Sequence, residues 1–347
     1  MMPRRQFLMG CLAAAATGSV AIPLPKRELR CRPVISGPMW WYSQSESALW
    51  DVSRWRDELD QQSRIGFNLL WLVNVAGTLT AEKDIRALSE LLDLCAQRRV
   101  QVILDTGSSS KWYGTLDLDK ELAICSKNII RIGDRLRGHP AFWGWYIPHE
   151  IFMFWGEAAS YIESIYSGLV DRCKKAADLP VAISPFFILD RDRVFGDFRY
   201  SEPDEYRQFW ERLIRRSRVD VVMLQDSGEH FSYVTNAMRR PFLAAMHDAC
   251  AGAKAIFWGN VETAEFECPS KEEFVRRYGK MHPSKVKGAH WRPVPIRRLR
   301  EKLDLAAEYC EKIVTWGYWE HCRPSLGKAA RQWYRDYRAY YDSAGFM

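Results

Sequence analysis

Phe142-Trp143-Gly144-Trp145-Tyr146-Ile147-Pro148-His149-Glu150 is an apolar run that ends in a carboxylate. Gly138-His139-Pro140 precedes it and Pro148 closes it, so Phe142 to Ile147 reads as one strand covered on both faces. That is the pattern of a strand in a parallel sheet. A hydrophobic core has no use for Glu150 at the C-terminal end. In a parallel barrel that end carries the chemistry. A structural role, capping the next loop or pairing with an arginine, is the competing reading of Glu150 alone.

Strands and helices alternate on both sides of this stretch. Strand-like segments cover 34–42, 68–73 and 100–104, then 142–147, 180–185, 219–224, 255–261 and 312–316. Helical periodicity covers 51–64, 81–98, 118–136, 158–177, 205–217, 236–251, 296–309 and 328–341. Ile85, Leu88, Leu91, Leu92 and Cys95, for example, share one helix face. Pro241 is expected to bend or delay its helix, and 264–294 reads as a long irregular insertion. Strand–helix alternation predicts parallel βαβ units. Eight of them in about 310 residues predict an α/β fold, a single-domain (β/α)8 TIM barrel over 34–347. An open doubly wound sheet is the second choice, because no glycine-rich phosphate turn follows the first strand.

The first 21 residues carry a different signal. Arg4-Arg5-Gln6-Phe7-Leu8 is followed by a short apolar stretch, and Ser19-Val20-Ala21 offers small residues for cleavage. The pattern resembles a twin-arginine export signal, with Pro3 where that class usually has Ser or Thr. It implies export of the folded chain by the twin-arginine machinery to the periplasm or the medium. Residues 22–33 then form a linker. The apolar stretch is too short for a stable membrane anchor.

The net charge of +7 raises the question of nucleic acid. Arg212, Arg215, Arg216, Arg218, Arg297, Arg298 and Arg300 lie on helix faces among acidic residues, and no nucleic-acid motif is present, so nucleic-acid binding is not expected. Most of the nine cysteines fall within helices, where they act as small hydrophobes, and none form a CxxC pair. Cys268 and Cys322 lie in loops and are free to pair. No metal or other cofactor is expected. A metal hydrolase using Asp105, His149 and Asp226 is a minor alternative, since HxH and HExxH spacings are missing.

The strand ends gather one chemistry. They supply Trp40 and Trp41, Asn74, Asp105, His149 and Glu150, Gln225 and Asp226, Asn260 and Glu262, then Trp316, Tyr318 and Trp319. Trp258 lies within the seventh strand, and the chain has 15 tryptophans in all. Paired carboxylates with aromatic planes and hydrogen-bonding side chains suit glycoside hydrolysis, which needs one acid and one nucleophile or base.

On these residues the chain resembles the clan of retaining glycoside hydrolases built on (β/α)8 barrels. Their acid/base glutamate follows strand four and their nucleophile follows strand seven, the places of Glu150 and Glu262. Gly144 to Glu150, Ile183-Ser184-Pro185-Phe186, Leu224-Gln225-Asp226 and Asn260-Val261-Glu262 resemble more closely a bacterial family of unassigned function within that clan, over roughly residues 34 to 320. Many clan members have Asn where this chain has His149, ahead of the acid/base residue. The resemblance implies a carbohydrate substrate, with Glu150 as acid/base and Glu262 as nucleophile. Trp40, Trp41, Trp258, Trp316 and Tyr318 would stack on sugar rings, while Asp105, His149, Gln225, Asp226 and Asn260 would bond hydroxyls. The acidity of Glu150 would be lowered by neighbours such as Trp143 and Glu262. A carbohydrate-binding barrel without catalysis is the alternative from a different class.

The export signal has a direct check. Replacing Arg4 and Arg5 by lysine should hold the protein in the cytoplasm when cells are fractionated. Normal delivery to the periplasm would show that the pair is not read by the twin-arginine machinery.

Overall fold

The computed structural model describes residues 28–344 except 111, 282 and 288–290, so the expected export signal at 1–21 lies outside the described residues. Among the described residues there are ten strands: β1 Met39–Trp41, β2 Leu69–Val73, β3 Gln101–Asp105, β4 Phe142–Ile147, β5 Val181–Ile183, β6 Val221–Gln225, β7 Ile256–Asn260, β8 Ala264–Phe266, β9 Trp291–Pro293 and β10 Lys312–Val314. Eight of them form one parallel sheet in the order β1-β2-β3-β4-β5-β6-β7-β10. The sheet closes on itself where Met39 N donates to Thr315 O at 2.7 Å and Thr315 N donates to Gly37 O at 3.1 Å. The fold is a (β/α)8 barrel with the helices outside.

Two apolar layers follow from the two-residue period of a strand. Leu69, Trp71, Ile103, Tyr146, Val221, Met223, Trp258 and Val314 point inward and fill the barrel. Their neighbours Leu70, Leu72, Leu104, Trp145, Ile147, Val222, Leu224, Phe257 and Ile313 point outward beneath the helices. The barrel is therefore plugged, and only its C-terminal mouth is open to ligands.

Local chemistry sets the helix ends. Asp51, Asp117 and Thr235 each accept a backbone N–H of the first turn. Pro241 does not delay its helix, which runs from Asn236 to Ala253 with the proline inside. Phe242, Leu243, Met246, Ala249 and Cys250 are buried along that helix, and this packing offsets the missing N–H.

The described residues of 264–294 hold regular structure. β8 and β9 form an antiparallel pair and Lys271–Tyr278 is a helix between them. Phe266 and Phe274 pack with Val194, Phe195, Phe231 and Val234, so the insertion ties down the loops after β5 and β6. Its helix buries one side chain, Phe274, which leaves too little periodicity to read. Cys268 and Cys322 are free thiols, donating to the carbonyls of Ser270 and Thr263 at 3.1 Å and 3.5 Å. Among the described residues no helix is long and apolar enough to cross a membrane.

Gly144 marks the tightest point of β4. The register with β3 shifts there, and a Cβ on Gly144 would lie 2.7 Å from the carbonyl oxygen of Pro180. That oxygen accepts Trp145 N–H at 2.8 Å. Gly144→Ala should destabilise the protein by about 1–3 kcal/mol, the usual range for overpacking. Urea unfolding with an unchanged midpoint would contradict this.

Candidate active site

A cavity of about 730 Å³ opens at the C-terminal mouth of the barrel. Residues at seven of the eight strand ends line it: Trp41 on β1, Asn74 after β2, Asp105 on β3, Glu150 after β4, Gln225 on β6, Asn260 on β7 and Trp316 after β10. Trp112, Asn128, His230, Trp319 and Glu320 complete the wall.

Glu150 is held from below and from the side. Tyr146, two inward positions down β4, donates its hydroxyl to Oε1 at 2.6 Å, and Gln225 Nε2 donates to Oε2 at 3.0 Å. Gln225 also donates to Ser184 O at 3.0 Å, and Ser184 Oγ receives Asn260 Nδ2 at 3.1 Å. The ends of β4, β5, β6 and β7 are thus joined in one hydrogen-bond chain that starts at this carboxylate. Burial raises the Glu150 pKa, and the Tyr146 and Gln225 hydrogen bonds and the His230 charge oppose the rise. Trp143 takes no part: it stacks on Trp258 inside the barrel, ring centres 5.0 Å apart.

Glu262 is buried behind His230. The imidazole Nδ1 lies 2.7 Å from Glu262 Oε1, and His230 itself faces the cavity, stacked on Trp316 at 5.3 Å. Below this pair, Lys302 Nζ donates to Glu262 O at 2.7 Å and pairs with Asp226 Oδ2 at 2.7 Å. Arg239 flanks Asp226 at 3.7 Å. Burial and the Asp226 charge push the Glu262 pKa up to about 7 against the pull of His230. Lys302 and Arg239 overcome burial at Asp226 and hold its pKa down at about 2. Asp105 is pushed up to about 6 by burial, although the N–H groups of Ala76 and Val75 bond it.

Strand parity explains which expected residues miss the cavity. Trp40 follows inward Met39 and points out, packing on Trp50, Trp55 and Trp319. His149 precedes inward Glu150 and is fully buried outside the barrel, 2.8 Å from Glu121. Asp226 follows inward Gln225 and belongs to the Lys302 and Arg239 cluster. Trp258 points inward but lies two residues below Asn260, in the barrel plug. Tyr318 is buried under the closing helix, 3.2 Å from Glu58 and against Trp333. Five placements are corrected on these grounds, and Asp105, His149 and Asp226 do not converge on one metal position. The described residues contain one group with metal-ligand spacing, Glu121, Cys125 and His149. There Glu121 is engaged by His149 and by Ser109 N–H, and burial raises the Cys125 thiol.

Tyr146, Ser184 and His230 join the site without having been anticipated. Tyr146 was legible from parity with Glu150. His230 sits at φ +52° five residues past Gln225, where no periodic signal reaches. Trp291, from the insertion, packs on both His230 and Trp316 at 5.7 Å.

Residues 35–326 match a domain of unknown function, DUF4434. The chain belongs to the DUF4434 family. A search of the curated proteins finds no match to it. Among solved structures, this DUF4434 chain is similar to a "putative alpha-L-fucosidase" from Bacteroides thetaiotaomicron, 17% identical with TM-score 0.67 over 96% of this chain and 99% of that one. It is also similar to an endo-beta-1,4-mannanase from Thermotoga petrophila, 9% identical with TM-score 0.50 over 90% of this chain and 78% of that one. A glycoside hydrolase family 5 protein from Bacteroides vulgatus is 9% identical with TM-score 0.52, over 83% of this chain and 61% of that one. These likenesses are of fold, the (β/α)8 barrel.

The buried acids of this DUF4434 site make stability depend on pH. Asp105 at about 6, and Glu229 and Glu262 at about 7, have folded-state pKa values above those of the unfolded chain. Their contribution is fully present below the unfolded values near 4 and is lost as pH rises through 6 to 7. His230, whose pKa is also raised, acts in the same direction. The melting temperature should fall between pH 5 and pH 8, and Glu229→Gln should flatten that fall. A melting temperature that rises over this range would contradict the assignment.

Proposed function

We propose that this protein is a retaining glycoside hydrolase acting on an oligo- or polysaccharide, with Glu150 as acid/base and Glu262 as nucleophile. One observation carries the reading. A carboxyl with raised pKa, held by Tyr146 and Gln225, faces the mouth of a plugged barrel, and His230 on the same cavity wall holds a second, buried carboxyl, Glu262. Glu150 protonates the leaving oxygen while Glu262 attacks the anomeric carbon. Glu150 then takes the proton of the incoming water. His230 is the positioning residue for Glu262: its positive charge balances the carboxylate before attack. Trp41 and Trp316 offer planes for sugar rings, and Asn74, Asp105, Asn128, Gln225 and Asn260 offer hydroxyl partners. The expected twin-arginine signal fits a periplasmic or secreted enzyme that meets its polymer outside the cytoplasm.

One feature favours the second reading, a barrel that binds carbohydrate without cleaving it. Glu262 is almost fully buried and reaches the cavity only past His230. In that case Glu262 and Asp226 serve the ion cluster around Lys302.

The two roles fail differently on mutation. Glu262→Ala should abolish turnover, and azide should restore it with the opposite anomeric product. Glu150→Ala should lose roughly 10²–10⁴-fold on poor leaving groups and spare good ones. Wild-type rates in both variants, on a substrate the parent cleaves, would refute the assignment. A parent that binds oligosaccharide and cleaves none across aryl glycosides and polysaccharides would favour the binding barrel.

A further inference from the structure

A second, smaller cavity of about 190 Å³ lies on the other side of the same carboxylate. Glu150, Gln225 and His230 line both cavities. The two differ in chemistry. The larger holds Asn74, Asp105, Asn128 and Asn260, partners for hydroxyl groups. The smaller is walled by Phe186, Ile188, Phe195, Phe198, Gly228 and Pro283. Phe186, Phe198 and Phe152 pack edge to face or tilted, with centres 5.4–6.4 Å apart. Two acids also border the slot, and both are turned to the backbone. Glu229 Oε1 accepts Leu189 and Asp190 N–H at 2.6 Å and 2.8 Å, while Asp190 accepts Phe195 N–H at 2.8 Å and pairs with Lys271 at 2.9 Å. The second Glu229 oxygen, Oε2, makes no hydrogen bond.

We propose that this slot takes the leaving group of the substrate, and that the leaving group is an aromatic or comparably flat apolar ring rather than a second sugar. The proposal rests on the glycosidase reading of Glu150 and names the substrate class of that site. An acid/base residue stands at the junction between the sugar that is kept and the group that departs, and Glu150 stands between the two cavities. A sugar in the slot would strand its hydroxyls against phenyl rings, where an unmade hydrogen bond costs about 1–3 kcal/mol. A flat ring needs no hydrogen-bond partners from the phenyl walls. An apolar cavity of roughly 150 Å³ suffices for benzene, and Glu229 Oε2 leaves a place for one polar substituent. Phe195 and Phe198 also border an open surface recess, so the departing alcohol has a way out. The insertion braces the slot: Pro283 borders it, and Phe274 packs on Phe195 at 5.1 Å.

Two measurements on the full-length protein decide it. Binding of 4-fluorobenzyl alcohol, followed by ¹⁹F NMR, needs no knowledge of the sugar. Saturable binding should persist in Trp41→Ala, which alters the larger cavity, and weaken at least about fivefold in Phe198→Ala. Phe186→Leu, a milder change, should weaken it too, with thermal melts confirming that each variant is folded. Absence of binding, or loss in Trp41→Ala but not in the phenylalanine variants, overturns the proposal. The second measurement compares benzyl with methyl glycosides over a panel of sugars, two alcohols of similar acidity. On whichever sugar is cleaved, kcat/KM should favour benzyl by about tenfold or more, and Phe198→Ala should erase the preference. Cleavage with no benzyl preference overturns the slot and leaves the hydrolase standing. Binding at the slot with no cleavage of any glycoside overturns the hydrolase and the leaving-group role with it, and leaves an aromatic-binding slot.

Discussion

Side chains on the barrel strands alternate between an interior packed solid and a helix layer that is equally buried, and the candidate site is an outgrowth of that alternation. Met39 and Trp41, Ile103 and Asp105, Tyr146 and Glu150, Met223 and Gln225, Trp258 and Asn260 are pairs in which an inward plug residue lies below an inward cavity residue. The plug keeps water from the barrel axis. It also fixes the height at which polar side chains first meet solvent. A shift of one residue in any strand would turn its cavity residue into the helix layer.

The same constraint sorts the ionisable groups. Carboxylates on the inward parity, Asp105 and Glu150, face the cavity with raised pKa values and few charges nearby. Asp226, on the outward parity, meets Lys302 and Arg239 and stays ionised. Glu262 lies beyond the end of β7, where the alternation lapses, and it joins both worlds: its backbone carbonyl belongs to the Lys302 cluster and its side chain to His230. A buried network of this kind is costly unless every member is paired. Lys302 is therefore as much a part of the site's support as any residue that touches the cavity.

Strand–helix alternation made the barrel legible from the sequence, because eight apolar strands and eight amphipathic helices are long-range repeats of a local signal. The segment 142–150 gave both a strand and the cavity residue at its end. The errors at the site have two sources. Trp40, His149 and Asp226 were grouped with their inward neighbours by proximity in sequence, although the two-residue period places them on the opposite face. Trp258 and Tyr318 were assigned by residue type, and large aromatics fill cores as readily as they line clefts. The insertion at 264–294 is legible, but its regular structure is not, because its strands are three residues long and its helix is stabilised by a satellite core drawn from distant loops. His230, placed by that same loop packing, carries no periodic mark at all.

The joint action of Glu150 and Glu262 is the centre of the functional account, and covalent trapping tests it most directly. Incubation with a panel of 2-deoxy-2-fluoro glycosyl fluorides should add one glycosyl mass to the protein, and peptide mapping should place it on Glu262. An adduct on any other residue, or steady turnover of glycosides with no adduct under any of these reagents, would contradict the account.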